Sequence, residues 1–174
     1  MFATIYLPNF HLQAAMRHQP ELWAKPFALI ETHKRKVAII QLNETAEKAG
    51  VRKGMTPSQG LARCLSLIIK TRAHAQEKLM NEILLQHAFI LSPFVEITAP
   101  GVCTIQFTDN RNLSVKVSRI IERLAECDII AQAGIASAPA TSLLVAHLAS
   151  PVLEIENAKK FFALLPIETL ATAL

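Results

Sequence analysis

The sequence predicts an α+β fold: an antiparallel sheet with two helices on one face, and a small α/β subdomain inserted after the first strand. Two observations predict it. With residues 7–73 set aside, the apolar periodicity runs β, α, β, β, α, β, the split βαβ order of ferredoxin-like folds. The charge also divides: residues 24–78 hold 11 Lys/Arg and 4 Asp/Glu, a net of +7, and the rest hold 7 and 10, a net of −3. The charge boundary and the topological boundary nearly coincide, although neither depends on the other.

The elements follow in order. "FATIY" is a short buried strand. Asn9 is placed to cap a helix running to about His18, with Leu12, Ala15 and Met16 on one face. Pro20 and Pro26 bracket a connection to two strands, "FALIE" and "VAIIQL", joined through a turn in "THKRK". Asn43 caps a short helix that stops at Gly50, where a left-handed residue is wanted. Thr56-Pro57-Ser58-Gln59 carries a capping box with proline at the first helical position, and its helix runs to about Cys64. "SLIIK" is a further strand.

A long helix covers roughly 74–91, with Leu79, Met80, Ile83, Leu84, Ala88 and Leu91 at helical spacing. "FVEIT" and "VCTIQF" are strands separated by the turn "APG". Leu113, Val117, Ile120, Ile121 and Leu124 mark a second amphipathic helix. "IIAQAGI" is a strand, "TSLLVAHLA" a helix, "VLEI" a short strand and "NAKKFFALL" a last helix.

Composition excludes several classes. The chain has 174 residues and is 51% apolar, with a mean hydropathy of +0.29. No apolar stretch approaches the roughly 18–20 residues that span a bilayer, and no basic stretch precedes the first apolar run as in a secretory signal. A cytoplasmic protein without membrane contact is expected. Cys64, Cys103 and Cys127 are odd in number and far apart, so neither a disulfide framework nor a zinc site is indicated; Cys64 and Cys103 read as small core residues. The six histidines show no paired metal spacing.

Several segments together resemble one family. They are "FATIYLPNFHLQA", "ELWAKPFALIE", "NETAEKAGVRKGMTPSQGLARC", "LSPFVEI", "AGIASAPATSLLVAHLAS" and "LPIETL". In this order they are similar to the Y-family (UmuC/DinB-type) translesion DNA polymerases, and most of all to the ImuB-like branch, which is degenerate at the active site. The resemblance implies a palm at 1–8 and 74–164, basic fingers at 9–73, and the start of a thumb at 165–174. The chain is then expected to be a palm-and-fingers fragment or truncated product.

The same resemblance implies a lost catalytic site. Active members end the first strand in D-x-D-x-F-F; the two Asp positions match Tyr6 and Pro8, and the second aromatic, a gate against ribonucleotides, matches His11. The triphosphate-gripping N-Y-x-A-R reads Asn43-Glu44-Thr45-Ala46-Glu47, so Glu47 stands at the Arg position. S-x-D-E aligns with Ala99-Pro100-Gly101-Val102, with neither acid present. Two magnesium ions need hard oxygen ligands, which phenol, proline, glycine and valine side chains do not supply as carboxylates. Glu96 is the nearest surviving acid and reads as structural or edge-exposed.

The expectation is therefore a pseudo-polymerase, not an enzyme, without metal or cofactor, acting as a translesion-synthesis accessory in DNA repair and damage-induced (SOS) mutagenesis. DNA is the expected partner, held weakly without thumb and little finger, beside an error-prone polymerase or other mutasome subunits. Lys34, Arg35, Lys36, Arg52, Lys53 and Arg63 are the candidate DNA contacts, with Lys70 and Arg72 extending the patch; solvated surface charge is the plain alternative for each. Two other readings stay open: an active or weakly active polymerase with an unusual metal site, and a truncated interaction module with no DNA role.

Overall fold

The computed structural model describes residues 1–163 and Leu165. The expected thumb start at 165–174 lies, Leu165 apart, outside them. The chain folds as two compact units, Met1–Pro8 with the residues from Met80 onward, and Asn9–Leu79. The division falls inside the long helix His74–Leu91 (α4).

The first unit is built on a five-stranded sheet. Its strands are β1 (Phe2–Tyr6), β5 (Val95–Ala99), β6 (Val102–Gln106), β7 (Gln132–Ala136) and β8 (Val152–Glu154), in the order β5-β6-β1-β7-β8. β1 lies antiparallel to both β6 and β7, so Ile5 sits between Cys103 and Ala133. Four of these strands give the expected ferredoxin-like order. The fifth, "VLEI", joins the sheet by pairing parallel to β7.

Alternation along the central strands sets the two faces. Ala3, Ile5, Ala133 and Ile135 are fully buried on one. Thr4 and Gly134 belong to the other, which the helix Pro139–Leu148 (α6) covers. There Thr4 bonds to Ser142 at 2.7 Å and to Thr104 at 3.2 Å. Gly134 has no room for a side chain: a Cβ would lie 2.2 Å from the Ala146 backbone nitrogen and 2.3 Å from the Ser142 carbonyl oxygen. The helix Leu113–Glu126 (α5) buries Leu113, Val117, Ile120, Ile121 and Leu124, the stripe its sequence marks, and packs on β7 and β8. Helix α7 spans Ala158–Phe162, capped by Asn157.

The second unit is a three-stranded sheet, β3 (Lys36–Leu42), β2 (Phe27–His33) and β4 (Ile68–Thr71), in that spatial order. β2 and β3 form a hairpin, and β4 pairs parallel to β2. Period-two alternation divides the core. Phe27 and Leu29 face one side with Leu12 and Met16 of helix α1 (Phe10–Met16) and Leu22 of the 3-10 turn Pro20–Leu22. Ala28 and Ile39 face the other, with Ala46 of α2 (Glu44–Lys48), Val51, Cys64 and Leu67.

The caps differ in how they work. Thr56 and Gln59 exchange both bonds of the capping box ahead of α3 (Pro57–Arg63). Asn43 Oδ1 accepts from the Ala46 and Phe27 amides, 3.0 Å each, and its Nδ2 donates to the Lys25 carbonyl at 2.7 Å. One buried amide thus starts α2 and fixes the entry to β2. Asn9 does not cap with its side chain, as the sequence suggests. It adopts a left-handed backbone, φ 50°, and only its carbonyl accepts from Gln13. Helix α1 also stops at Met16, short of His18, whose φ is 63°.

Candidate nucleic-acid interface

In the first unit, the end of β1 and the turn between β5 and β6 form one corner. Tyr6 pairs with Val102 in register, and the Leu7 amide donates to the Gly101 carbonyl at 2.8 Å. Gly101 has φ 73°, and its own amide donates to Asn81 Oδ1 at 2.9 Å. The Tyr6 ring lies 4.1 Å, centroid to centroid, from that of His147. Burial pushes the Tyr6 phenol above its ordinary value and holds the His147 imidazole below its own. Both groups are therefore neutral at pH 7.

This corner does not fit a pair of divalent ions. Tyr6 offers a neutral phenol engaged with a ring, and Pro8, Gly101 and Val102 offer no side-chain oxygen. Glu96, opposite Thr104 on β5, stands alone among acids on an open groove of about 520 Å³ with Thr98, Thr104 and Gln106. Among the described residues no group of three or more His, Cys, Asp or Glu is placed to hold a metal ion.

The second unit carries the positive charge, 12 Lys/Arg against five Asp/Glu over residues 9–79. Arg52 and Lys53 line a cavity of about 580 Å³ with Asn9, Leu42, Glu44 and Glu47. Arg52 Nη1 donates to the Glu47 and Val51 carbonyls at 2.6 and 2.8 Å, closing the end of α2. Glu44 pairs with Lys48 at 2.6 Å, which holds its carboxyl below the ordinary range. Arg63 is exposed in the last turn of α3. Lys34, Arg35 and Lys36 form the exposed tip of the β2–β3 hairpin.

His11 has a partner that sequence spacing did not disclose. Its Nδ1 comes 3.1 Å from Glu77, close but poorly aligned for a hydrogen bond. Glu77 is 6% exposed and is gripped by Arg72 through two bonds of 2.9 and 2.6 Å. Arg72 also reaches Glu31 at 2.7 Å. Burial alone would raise the Glu77 carboxyl. The Arg72 hydrogen bonds, with the nearby His11 ring, outweigh it and hold the group below its ordinary value. Arg72 and Lys70, which bonds to Gln19 at 2.6 Å, thus have ties within the unit. The only local signal was an acid in the first turn of α4; its partners are scattered from His11 to Arg72.

The chain is of an α+β class: a ferredoxin-like sheet with a basic α/β unit inserted after its first strand. The model of the impB/mucB/samB family matches residues 5–150, and the chain belongs to that family. Its fold is similar to that of Dbh DNA polymerase in a post-insertion binary complex, at 18% identity and a TM-score of 0.84, covering 97% of this chain and 52% of that one. The insertion ternary complex of Dbh gives 16% identity, TM-score 0.83, and coverages of 97% and 53%. DinB from Sulfolobus solfataricus gives 16%, 0.82, and 97% and 52%. The chain spans about half the length of these solved structures. No curated protein matches its sequence.

The expectation that the chain is not an enzyme is corrected here. The impB/mucB/samB family model covers most of the chain, and solved structures sharing its fold over nearly its whole length include those of a DNA polymerase, so the non-enzyme expectation is not upheld. The missing carboxylates describe four positions at one corner. That corner alone does not fix the activity of a protein whose matched structures are about twice as long.

Proposed function

We propose that the chain is the palm and fingers of a Y-family DNA polymerase-like protein that acts on DNA in damage tolerance, in the cytoplasm. Residues 1–8 with those from 74 to 164 serve as the palm, and residues 9–73 as the fingers. The observation that carries this reading is the match of the family model to residues 5–150. The concentration of cations in the inserted unit supports it, because phosphate neutralisation dominates affinity for nucleic acid. Two of the solved structures of similar fold are complexes of a DNA polymerase, one at insertion and one after it.

Arg52, Lys53 and Arg63 are the proposed backbone contacts. Arg52 is held by two carbonyls, so its charge is displayed at a fixed place at little further cost in side-chain entropy. Glu44 and Glu47 beside it disfavour a bare triphosphate at this cavity. The substitutions at Tyr6, Pro8, His11, Glu47, Gly101 and Val102 support placement in the ImuB-like branch, working with an error-prone polymerase or other mutasome subunits in damage-induced mutagenesis.

The test is fluorescence anisotropy with a labelled primed template and the full chain. Binding is expected at 50 mM salt, weakened about tenfold in an Arg52→Gln, Lys53→Gln double variant that melts as the native protein does. Equal affinity in the variant removes these residues from the interface, and no binding by the native chain removes the DNA reading.

A further inference from the structure

The tip of the β2–β3 hairpin combines two features that do not ordinarily occur together. His33 pairs with Lys36, leaving a two-residue loop of Lys34 and Arg35. Both have positive φ, 46° and 68°, the sign pattern of a type I′ turn. That turn favours Asn-Gly, because a Cβ crowds the backbone in the left-handed region. Here two long cationic side chains occupy both positions, followed at once by a third, Lys36. All three are exposed, and no ion pair to any of them is found among the described residues. Glu31, the nearest acid in sequence, is engaged by Arg72. The tip therefore presents three uncompensated charges on a strained backbone. Strain of this kind accompanies residues kept for what they touch.

We propose that Lys34, Arg35 and Lys36 form a prong that grips the phosphodiester backbone of a nucleic-acid strand. The inference rests on the DNA reading above and adds to it a second contact place, distinct from Arg52 and Lys53. A two-residue loop splays successive side chains on a short, stiff support, so the three charges meet adjacent phosphates without ordering a long loop. None of the three prong residues carries a ring for base stacking, so the contact they make is to the backbone and sequence-independent.

The test replaces the turn with the residues it prefers, Lys34→Asn and Arg35→Gly together, in the full chain. Stability and binding should move in opposite directions. The melting temperature should rise by about 2–4 °C as strain is relieved. Affinity for single-stranded and for duplex DNA should fall about tenfold at 0.1 M salt, with the slope of log K against log salt shallower by about 1.4 on single strands and about 1.8 on duplex. A control pair, Lys159→Gln with Lys160→Gln, removes the same charge elsewhere and should leave binding within about twofold.

Unchanged affinity and slope in the turn variant overturn the prong while leaving the DNA reading intact. An equal loss in the control pair overturns it in favour of net charge. A loss on one form of DNA only assigns the prong to that form. No binding by the native chain overturns both readings.

Discussion

At the scale of single residues, Glu77 is the most consequential group outside the corner at Tyr6. Its folded carboxyl lies below its ordinary value of 4.5, so the charged form is favoured by folding. Its contribution is fully present above that value and is lost as pH falls through the depressed one. Acid denaturation of the native chain should therefore show a loss of stability in this range that is smaller in Glu77→Gln. At pH 7 the substitution Glu77→Ala should cost about 2–3 kcal/mol by urea denaturation, less than a fully buried pair because Arg72 keeps Glu31. Gly134→Ala should cost about 2–3 kcal/mol by the same measurement, since the new Cβ would meet backbone and not a yielding side chain. Neither effect was legible in the sequence. The carboxylate's partners come from α1, the end of β4 and the start of α4, and the need for glycine arises from how closely α6 approaches β7.

The elements were the most legible level. Period-two alternation at "FALIE" marks the two core faces of the second unit, and the five apolar positions of α5 are all buried. The caps at Asn43 and Thr56 follow from residue type and spacing. Their weights do not, because weight depends on burial. Thr56 satisfies an exposed amide, and Thr56→Ala should cost about 1 kcal/mol. Asn43 is 6% exposed and serves three backbone groups at short range. Asn43→Ala should cost about 2–3 kcal/mol, because two buried amides lose their acceptor together. Thermal denaturation of the two variants should rank them in that order. The asparagine at Asn9 was misread because a left-handed backbone places its side chain away from the orphan amides. Nothing in "LPNF" signals that conformation as Asn-Gly would signal a turn.

For the whole molecule, periodicity and charge marked an α/β unit inserted after the first strand, and the family resemblance marked its class. What the sequence misled on was the non-enzyme expectation: absent carboxylates at one corner suggested it, against a fold shared with DNA polymerase structures. The DNA reading predicts a linear fall of log K with log salt, with a slope of about −2.8 to −3.5 on single strands for four or five neutralised phosphates. It also predicts where the strand lies. Lysine acetylation of the full chain, with and without a primed template at 50 mM salt, measures this residue by residue. Protection of Lys34, Lys36 and Lys53, with Lys116, Lys159 and Lys160 as reactive as in free protein, is the expected result. Protection confined to the latter three, or no change at any lysine under saturating DNA, would contradict a basic inserted unit that faces nucleic acid.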